Sequence, residues 1–413
     1  MIEIAVLGHG VVGSGVVQLL EKNHESINRK SGAEICVKKI LELRDFSGLP
    51  YADKFCTSFD EILADPEVSV VVEVMGGIHP AYEYASSALK AGKSVVTSNK
   101  ELVAAKGHEL LRLAREVDRN FLFEASVGGG IPIIRPLHQC LGANEIDEIV
   151  GILNGTTNFI LTKMIREGMD FGAALKIAQE LGYAEKDPTA DIEGHDTCRK
   201  ICILASLAFG SHVYPESVDT SGITRITAED VRYAQSIGRV IKLLGHARKV
   251  GGKCEIWVGP AMIERDNPLA GVEDVFNGIL VRGDATGDVV FYGKGAGGLP
   301  TASAVISDII DCVTAEGTIS SLHWAEADNS KLAKLGELPT TRYLRCQGPG
   351  ADIAVGRVFG AVSPLHRPDK PEGELAFIAP SMNSAQLEQK LAELAGLAVS
   401  VVSNIRIWGQ SDI

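Results

Sequence analysis

Residues 2–8, Ile-Glu-Ile-Ala-Val-Leu-Gly, form an apolar run of strand length that ends in the turn Gly8-His9-Gly10-Val11-Val12-Gly13. The next eight residues, Ser14 to Glu21, have helical spacing. A strand that turns through closely spaced glycines straight into a helix opens an alternating α/β layer, and the following segments keep the alternation. Strands are predicted over 35–43, 68–74, 94–97 and 120–125, with helices over 80–91 and 101–117. Strands separated by helices imply a parallel sheet with right-handed crossovers.

The glycine spacing carries chemistry in this context. Gly8 permits the tight turn, Gly10 lets a pyrophosphate approach the backbone, and Gly13 lets helix and strand pack closely. The amide groups of Val11 and Val12 open the helix and face the phosphates. The fold class is therefore α/β with a Rossmann-type dinucleotide-binding domain. The second strand ends in Glu42, Arg44 and Asp45. An acid there accepts from a ribose 2′-hydroxyl, whereas a base favours a 2′-phosphate. NAD(H) and NADP(H) both stay open, and Arg44 tilts the reading slightly to NADP(H). Gly76, Ser98 and Lys100 end later strands, where ligands sit in an open α/β sheet.

The pattern changes near residue 127. A loop over 126–132 leads to a strand over 146–153, the polar turn Asn154-Gly155-Thr156-Thr157-Asn158, and further strands within 255–292. A second glycine-rich turn, 293–301, opens an apolar helix over 301–315. The tail reads as strand (342–346), helix (352–362), proline-rich loop (363–373), strand (374–378), helix (384–395) and strand (399–407). That is a small βαββαβ-like unit whose second strand is missing. The expected organisation is a cofactor domain over 1–130 completed by 301–340, a substrate-binding and dimerisation domain over 131–300, and the tail over 341–413.

Composition excludes several alternatives. The chain has 413 residues, 45% hydrophobic and 23% charged, with a net charge of −13. No dense Lys/Arg run exists, which argues against a nucleic-acid partner. Its 8 Cys form no CxxC pair, which suits thiols in a reducing compartment and not a disulfide frame or zinc site. No apolar run approaches the roughly 20 residues of a membrane span, and no leader pattern opens the chain, so the cytoplasm is expected.

Residues 182–200 concentrate Glu185, Asp187, Asp191, Glu193, Asp196 and Lys200 in a span broken by Pro188 and Gly194, directly before the apolar run 201–209. This order predicts an acidic loop feeding a buried helix, with Asp196 and Lys200 on one helix face. Such a pair can grip a zwitterion or move a proton. Read alone, it is better explained as a solvated loop with one helical ion pair. His195 and His9 read as a solvated side chain and as a side chain lining the nucleotide site.

The run Ala178-x-x-x-Gly182-Tyr183-Ala184-x-x-Asp187-Pro188-x-x-Asp191-Ile192-x-Gly194-x-Asp196-x-x-x-Lys200 resembles the hallmark pattern of homoserine dehydrogenases. So do Thr97–Lys100, Glu124–Pro132, Asn154–Phe159 and Gly295–Ala304, in family order. The resemblance covers roughly 1–340. It implies reversible NAD(P)H-dependent reduction of L-aspartate 4-semialdehyde to L-homoserine. It also implies Lys200 as acid, oriented by Asp196, with Lys100 as a second active-site lysine; the sequence does not decide between the two lysines. Glu185, Asp191, Asn154 and Thr156 are assigned to the substrate, and Gly297 to the cofactor. Glu124, Val127, Gly129 and Ile131 match positions that hold a structural monovalent cation, Na+ or K+, largely through backbone carbonyls; the alternative is an ordinary glycine loop. The tail resembles an ACT regulatory domain with a degenerate second strand, which puts threonine regulation in doubt. A homodimer or homotetramer is expected, because the middle domain's strands otherwise leave an open edge. An aspartate semialdehyde dehydrogenase is disfavoured because no Cys sits in a nucleophile constellation, and a non-catalytic nucleotide sensor because the Asp196/Lys200 pair is intact.

Overall fold

The structure is a computed structural model that describes residues 1–314, 320–334 and 336–409. It divides into two compact units: Met1–Ile146, Arg199–Ser217 and Arg282–Asp328 form the first, and Asp147–Cys198, Val218–Val281 and Asn329–Ile413 the second.

The first unit is built on β1 (Ile2–Leu7), β2 (Ile35–Leu41), β3 (Phe55–Cys56), β4 (Val68–Glu73), β5 (Ser94–Thr97) and β6 (Phe121–Leu122). The strands run in the order β3-β2-β1-β4-β5-β6, every neighbour parallel. The order reverses between β1 and β4, the switch point outside whose carboxyl ends an open sheet binds its ligand. Parallel strands are covered on both faces, so their sequences are apolar throughout instead of alternating; Ile4, Ala5, Val6 and Leu7 are all 0% exposed. The helix Gly298–Thr314 joins this unit, its Ala302, Val305, Ile306 and Ile309 sharing a core with Val16, Val17 and Leu20 of the helix Val11–Lys22. The helices meet backbone to backbone, since a Cβ on Gly15 would lie 2.9 Å from the Gly298 carbonyl oxygen. This helix begins three residues before the predicted start at 301, and residue 315, its predicted end, lies outside the described residues.

A buried histidine, His212, and a half-buried one, His108, sit in the same unit. His212 accepts a hydrogen bond at Nδ1 from the Trp324 indole N–H (3.0 Å), and its ring centroid lies 4.7 Å from that of His108. Burial, with the neighbouring His108 charge, holds the His212 pKa down to about 4. A folded value below the unfolded one of about 6.5 means that the folded state refuses a proton the unfolded chain accepts. The stability is therefore complete above pH 6.5 and is lost as pH falls toward 4. We expect this group to cost about 2 kcal/mol at pH 5 relative to pH 8. His212→Gln, compared with wild type in melting scans from pH 8 to 4.5, should flatten the acid slope; an unchanged slope would show that other groups govern it.

The second unit contains β7 (Ile146–Ile152), β8 (Asp219–Thr220), β9 (Arg239–Val250), β10 (Lys253–Glu264) and β11 (Phe276–Gly283). β12 (Gly287–Lys294) follows, its residues falling in the first unit, and then β13 (Thr340–Gln347), β14 (Glu374–Met382) and β15 (Ser400–Ile407). Within the second unit the order is β11-β7-β9-β10-β15-β13-β14, with β8 added to β10. β9 and β10 form a twelve-residue antiparallel hairpin turning through Gly251 and Gly252, at φ 56° and 78°. A two-residue turn with positive φ at both positions matches the right-handed strand twist.

The sequence reading omits β9 and starts β10 only at Glu255. Arg239, Lys242 and His246 interrupt the apolar pattern of β9, yet all three are buried. Each is there because a partner meets it: Glu264 for Arg239 (2.7 Å), Asn158 Oδ1 (3.2 Å) and the Val272 carbonyl for Lys242, and Glu148 for His246 (2.8 Å). Burial pushes the Lys242 ammonium down to about 8.

The tail is a βαβαβ unit with β13 between antiparallel β14 and β15, and the helices Ala351–Phe359 and Ser384–Gly396 between the strands. The missing second strand survives as a single bridge, Pro364 to Phe377. β15 pairs in parallel with β10 through Ala261–Arg406 and Met262–Ile407, so the tail's sheet continues that of β10. Beneath it lies a buried ion network. The Arg345 guanidinium donates to Asp230 (2.9 Å) and Glu374 (3.1 Å), Arg367 donates to Glu374 (2.8 Å), and the Tyr343 and Tyr233 hydroxyls donate to Asp230 and Glu374. Arg367 comes from the loop that replaces the missing strand.

Candidate active site

In the first unit, the glycine turn has the geometry its spacing demands. Gly8 sits at φ 98°, and a Cβ on Gly13 would lie 2.1 Å from the Gly8 carbonyl oxygen. A Cβ on Gly10 would meet nothing within 4 Å, so the backbone there faces open space at the start of the helix Val11–Lys22. These residues fit a dinucleotide whose phosphates approach Gly10 and the first helical amides. The His9 ring, within this turn, is buried, 3.2 Å from the Tyr51 hydroxyl and edge-on to Phe46 and Phe55.

At the end of β2 the Glu42 carboxylate accepts from the amides of His9 (3.0 Å), Leu43 (2.9 Å) and Arg44 (3.1 Å) and from the Arg44 guanidinium (2.7 Å). Arg44 and these amides pull its pKa down to about 2 against the opposing effect of burial. The Arg44 side chain itself is exposed.

Glu73, at the end of β4, escaped the sequence reading. It is 0% exposed, accepts from the Thr97 hydroxyl (2.6 Å) and from the Met75 (2.8 Å) and Gly76 (3.4 Å) amides, and its pKa is raised by burial. One carboxyl thus ties the loop after β4, carrying Gly76, to the end of β5, carrying Ser98. Asn99 then caps the helix Lys100–Glu116, accepting from the Glu101 and Leu102 amides and donating to the Gly77 carbonyl. Lys100 is the first residue of this helix and is half-buried. Arg199 bonds Glu101 at 3.1 Å, an ion pair whose members directly precede Lys200 and directly follow Lys100 in the chain. The lysine-bearing segments of the first unit are thereby held together.

The loop over 124–132 also lies in this unit. The Glu124 carboxylate accepts from the amides of Ile133 (2.5 Å), Ile134 (2.8 Å) and Arg135 (2.8 Å). Its side chain is therefore engaged inside the protein, and a cation here would rely on backbone carbonyls of Glu124, Val127, Gly129 and Ile131. Gly129 (φ 56°) packs against Gly295, where a Cβ would approach the carbonyl oxygen to 2.3 Å. Among the described residues no group of three or more His, Cys, Asp or Glu side chains is placed to hold a metal ion.

In the second unit, Asn154 caps the helix Gly155–Glu167. Its Oδ1 accepts from the Thr157 amide (2.8 Å), while its Nδ2 donates to Asp191 (2.7 Å) and to Asp196 (2.9 Å). Thr156 donates its hydroxyl to the Tyr183 carbonyl (2.7 Å), fastening the same helix to the acidic loop, and Glu185 is exposed on that loop. The loop forms the short helix Thr189–Ile192 and breaks at Gly194 (φ 84°), before the helix His195–Phe209. This helix is shared between the units, its residues to Cys198 belonging to the second and those from Arg199 to the first; Asp196 is 4% exposed and Lys200, one turn on, 7%. A carboxylate and an ammonium this buried are tolerated only with polar partners. No helix among the described residues is long and apolar enough to cross a membrane.

The chain is similar to known proteins in both sequence and fold. A family model described as homoserine dehydrogenase matches residues 132–310, and one described as homoserine dehydrogenase, NAD binding domain, matches 8–124. The homoserine dehydrogenase of Bacillus subtilis (strain 168) is 43% identical over 313 residues, 75% of this chain and 72% of that protein. That of Synechocystis is 45% identical over 319 residues, 76% and 73% of the two chains. A crystal structure of a homoserine dehydrogenase from Thiobacillus denitrificans superposes with a TM-score of 0.87 at 37% identity, over 98% of both chains. A hyperthermophilic archaeal homoserine dehydrogenase in complex with NADPH gives a TM-score of 0.65 at 31% identity, over 75% of this chain and 97% of that one.

Proposed function

Because the chain belongs to the homoserine dehydrogenase family of NAD(P)-dependent oxidoreductases, we propose a division of labour among its residues for the reversible reduction of L-aspartate 4-semialdehyde to L-homoserine. When bound, the reduced nicotinamide supplies a hydride to the aldehyde carbon. The carbonyl oxygen then takes the electron pair of its π bond. Lys200 stabilises that charge with its ammonium and donates the proton that makes the hydroxyl, leaving a neutral amine that regains a proton from solvent. Asp196, one turn earlier, orients Lys200. Lys100 shares the electrostatic work. Glu185 and Asp191 take the substrate's α-ammonium, and Thr156 with Asn154 shapes the floor beneath it. The observation that carries this reading is the Asn154 amide, which gathers Asp191 and Asp196 at the head of the helix that bears Lys200.

For the cofactor we favour NADP(H). Glu42 is occupied by three amides and Arg44, which leaves it a poor acceptor for a ribose hydroxyl, and the tethered guanidinium of Arg44 suits a 2′-phosphate. Homoserine-dependent reduction of NAD and NADP at alkaline pH tests function and preference together. Wild type should give the lower KM with NADP, and Arg44→Ala should raise that KM about tenfold while leaving the NAD value within twofold. An unchanged NADP/NAD ratio removes Arg44 from cofactor selection.

The loop of Glu124, Val127, Gly129 and Ile131 is read as a structural monovalent-cation site, supported by the left-handed backbone of Gly129 (φ 56°) within a tightly turned glycine loop. After dialysis against a large organic cation, activity should recover on adding Na+ or K+; full activity without either would make this an ordinary glycine loop.

A further inference from the structure

The side chain of Asn154 has no spare hydrogen-bonding hydrogen. Its Oδ1 accepts the Thr157 amide (2.8 Å) and the Thr157 hydroxyl (3.0 Å). That fixes which end of the amide faces the helix, since the reverse orientation would set an N–H group against an N–H donor and an oxygen against two carboxylates. The two hydrogens on Nδ2 are then divided, one to Asp191 Oδ1 and one to Asp196 Oδ2, residues 37 and 42 positions further along the chain. Asn154 is 5% exposed and Asp196 4%, so the bond between them forms away from water, where a charge-assisted bond is strong and a misplaced carboxylate costly, while Asp191 is half-buried. Two carboxylates no more than two hydrogen-bond lengths apart repel each other. A neutral donor shared between them sets their separation without neutralising either, which a lysine in the same place would do.

We propose that Asn154 is a positioning residue that sets the geometry of Asp191 and Asp196 together, so that substrate grip and lysine orientation are adjusted by one side chain. This deepens the division of labour given above and rests on it. The alternative role, a helix cap and nothing more, is separable by chemistry. Serine is as good a cap as asparagine but has no second hydrogen to share and is too short to span both acids. Aspartate also caps, but adds a third carboxylate with no hydrogen to give.

The test is steady-state kinetics on full-length Asn154→Ser and Asn154→Asp from pH 6 to 9, with melting temperatures and with Lys200→Ala run in parallel. Asn154→Ser should melt within a few degrees of wild type. Its kcat/KM for homoserine should nevertheless fall roughly 100-fold, split between a higher KM through Asp191 and a lower kcat through Asp196. Asn154→Asp should be more impaired at pH 9 than at pH 6, because a carboxyl crowded by two others binds a proton and then donates one of the lost bonds. The positioning role is overturned if both variants stay within about twofold of wild type at every pH, or if activity is lost only in proportion to folded protein. An active Lys200→Ala would instead strike the proton-transfer reading; in that case a wild-type homoserine KM in Asn154→Ser still refutes the positioning role, and a raised one still supports it.

Discussion

Lys200→Ala should lower turnover about 1,000-fold in both directions, within the range that a positioned proton donor contributes. The loss should appear equally in kcat and kcat/KM, because the interaction removed is made chiefly when charge builds on the carbonyl oxygen. Lys200 is almost wholly buried, so truncating it also leaves a void, and some loss of melting temperature is expected. Lys200→Arg separates the two effects: it keeps a positive charge but presents a group that does not release a proton near neutral pH. It should melt close to wild type and remain at least 100-fold slow. Lys100→Ala should also be slow by orders of magnitude, and the double variant far less impaired than the product of the two, as for groups that act as a unit. The Arg199–Glu101 ion pair, flanked by these lysines in sequence, gives the structural ground for that coupling. Full activity in Lys200→Ala would remove the central residue of the mechanism.

The second large effect concerns stability. Arg345→Met should destabilise the second unit by about 3–5 kcal/mol, because it strips a cation from the buried Asp230 and one of two cations from Glu374. Asp230 is 0% exposed and Glu374 4%, so neither can turn to water. Arg367 and Tyr233 still reach Glu374, and Thr227 and Tyr343 still reach Asp230, which keeps the expected loss within that range. For a unit of this size the change corresponds to a fall of roughly 10 °C in melting temperature. Arg345→Lys should recover part of the loss, since it restores charge but not the fork that serves both acids. The same network explains why the tail behaves as part of the second unit: it joins β13 and β14 to the helix Ala228–Ser236, while β15 extends the sheet of β10. A melting curve unchanged by Arg345→Met would mean that packing alone holds the tail.

The chain's own order of residues determined the elements and their chemistry wherever the information is local. The strand, glycine turn and helix at 2–21 were legible because φ, close approach and helical periodicity depend on neighbours a few positions away. The break at Gly194 and the acid and lysine on one face of the next helix were legible for the same reason. Tertiary structure alone decided the partners. Nothing near Asn154 announces Asp191 and Asp196, nothing near Glu73 announces Thr97, and the polar residues of β9 look misplaced until Glu264, Asn158 and Glu148 arrive from elsewhere in the chain. A buried polar group takes its meaning from whichever donor or acceptor the fold brings to it, and that choice is made by long-range chain geometry, which no short pattern records.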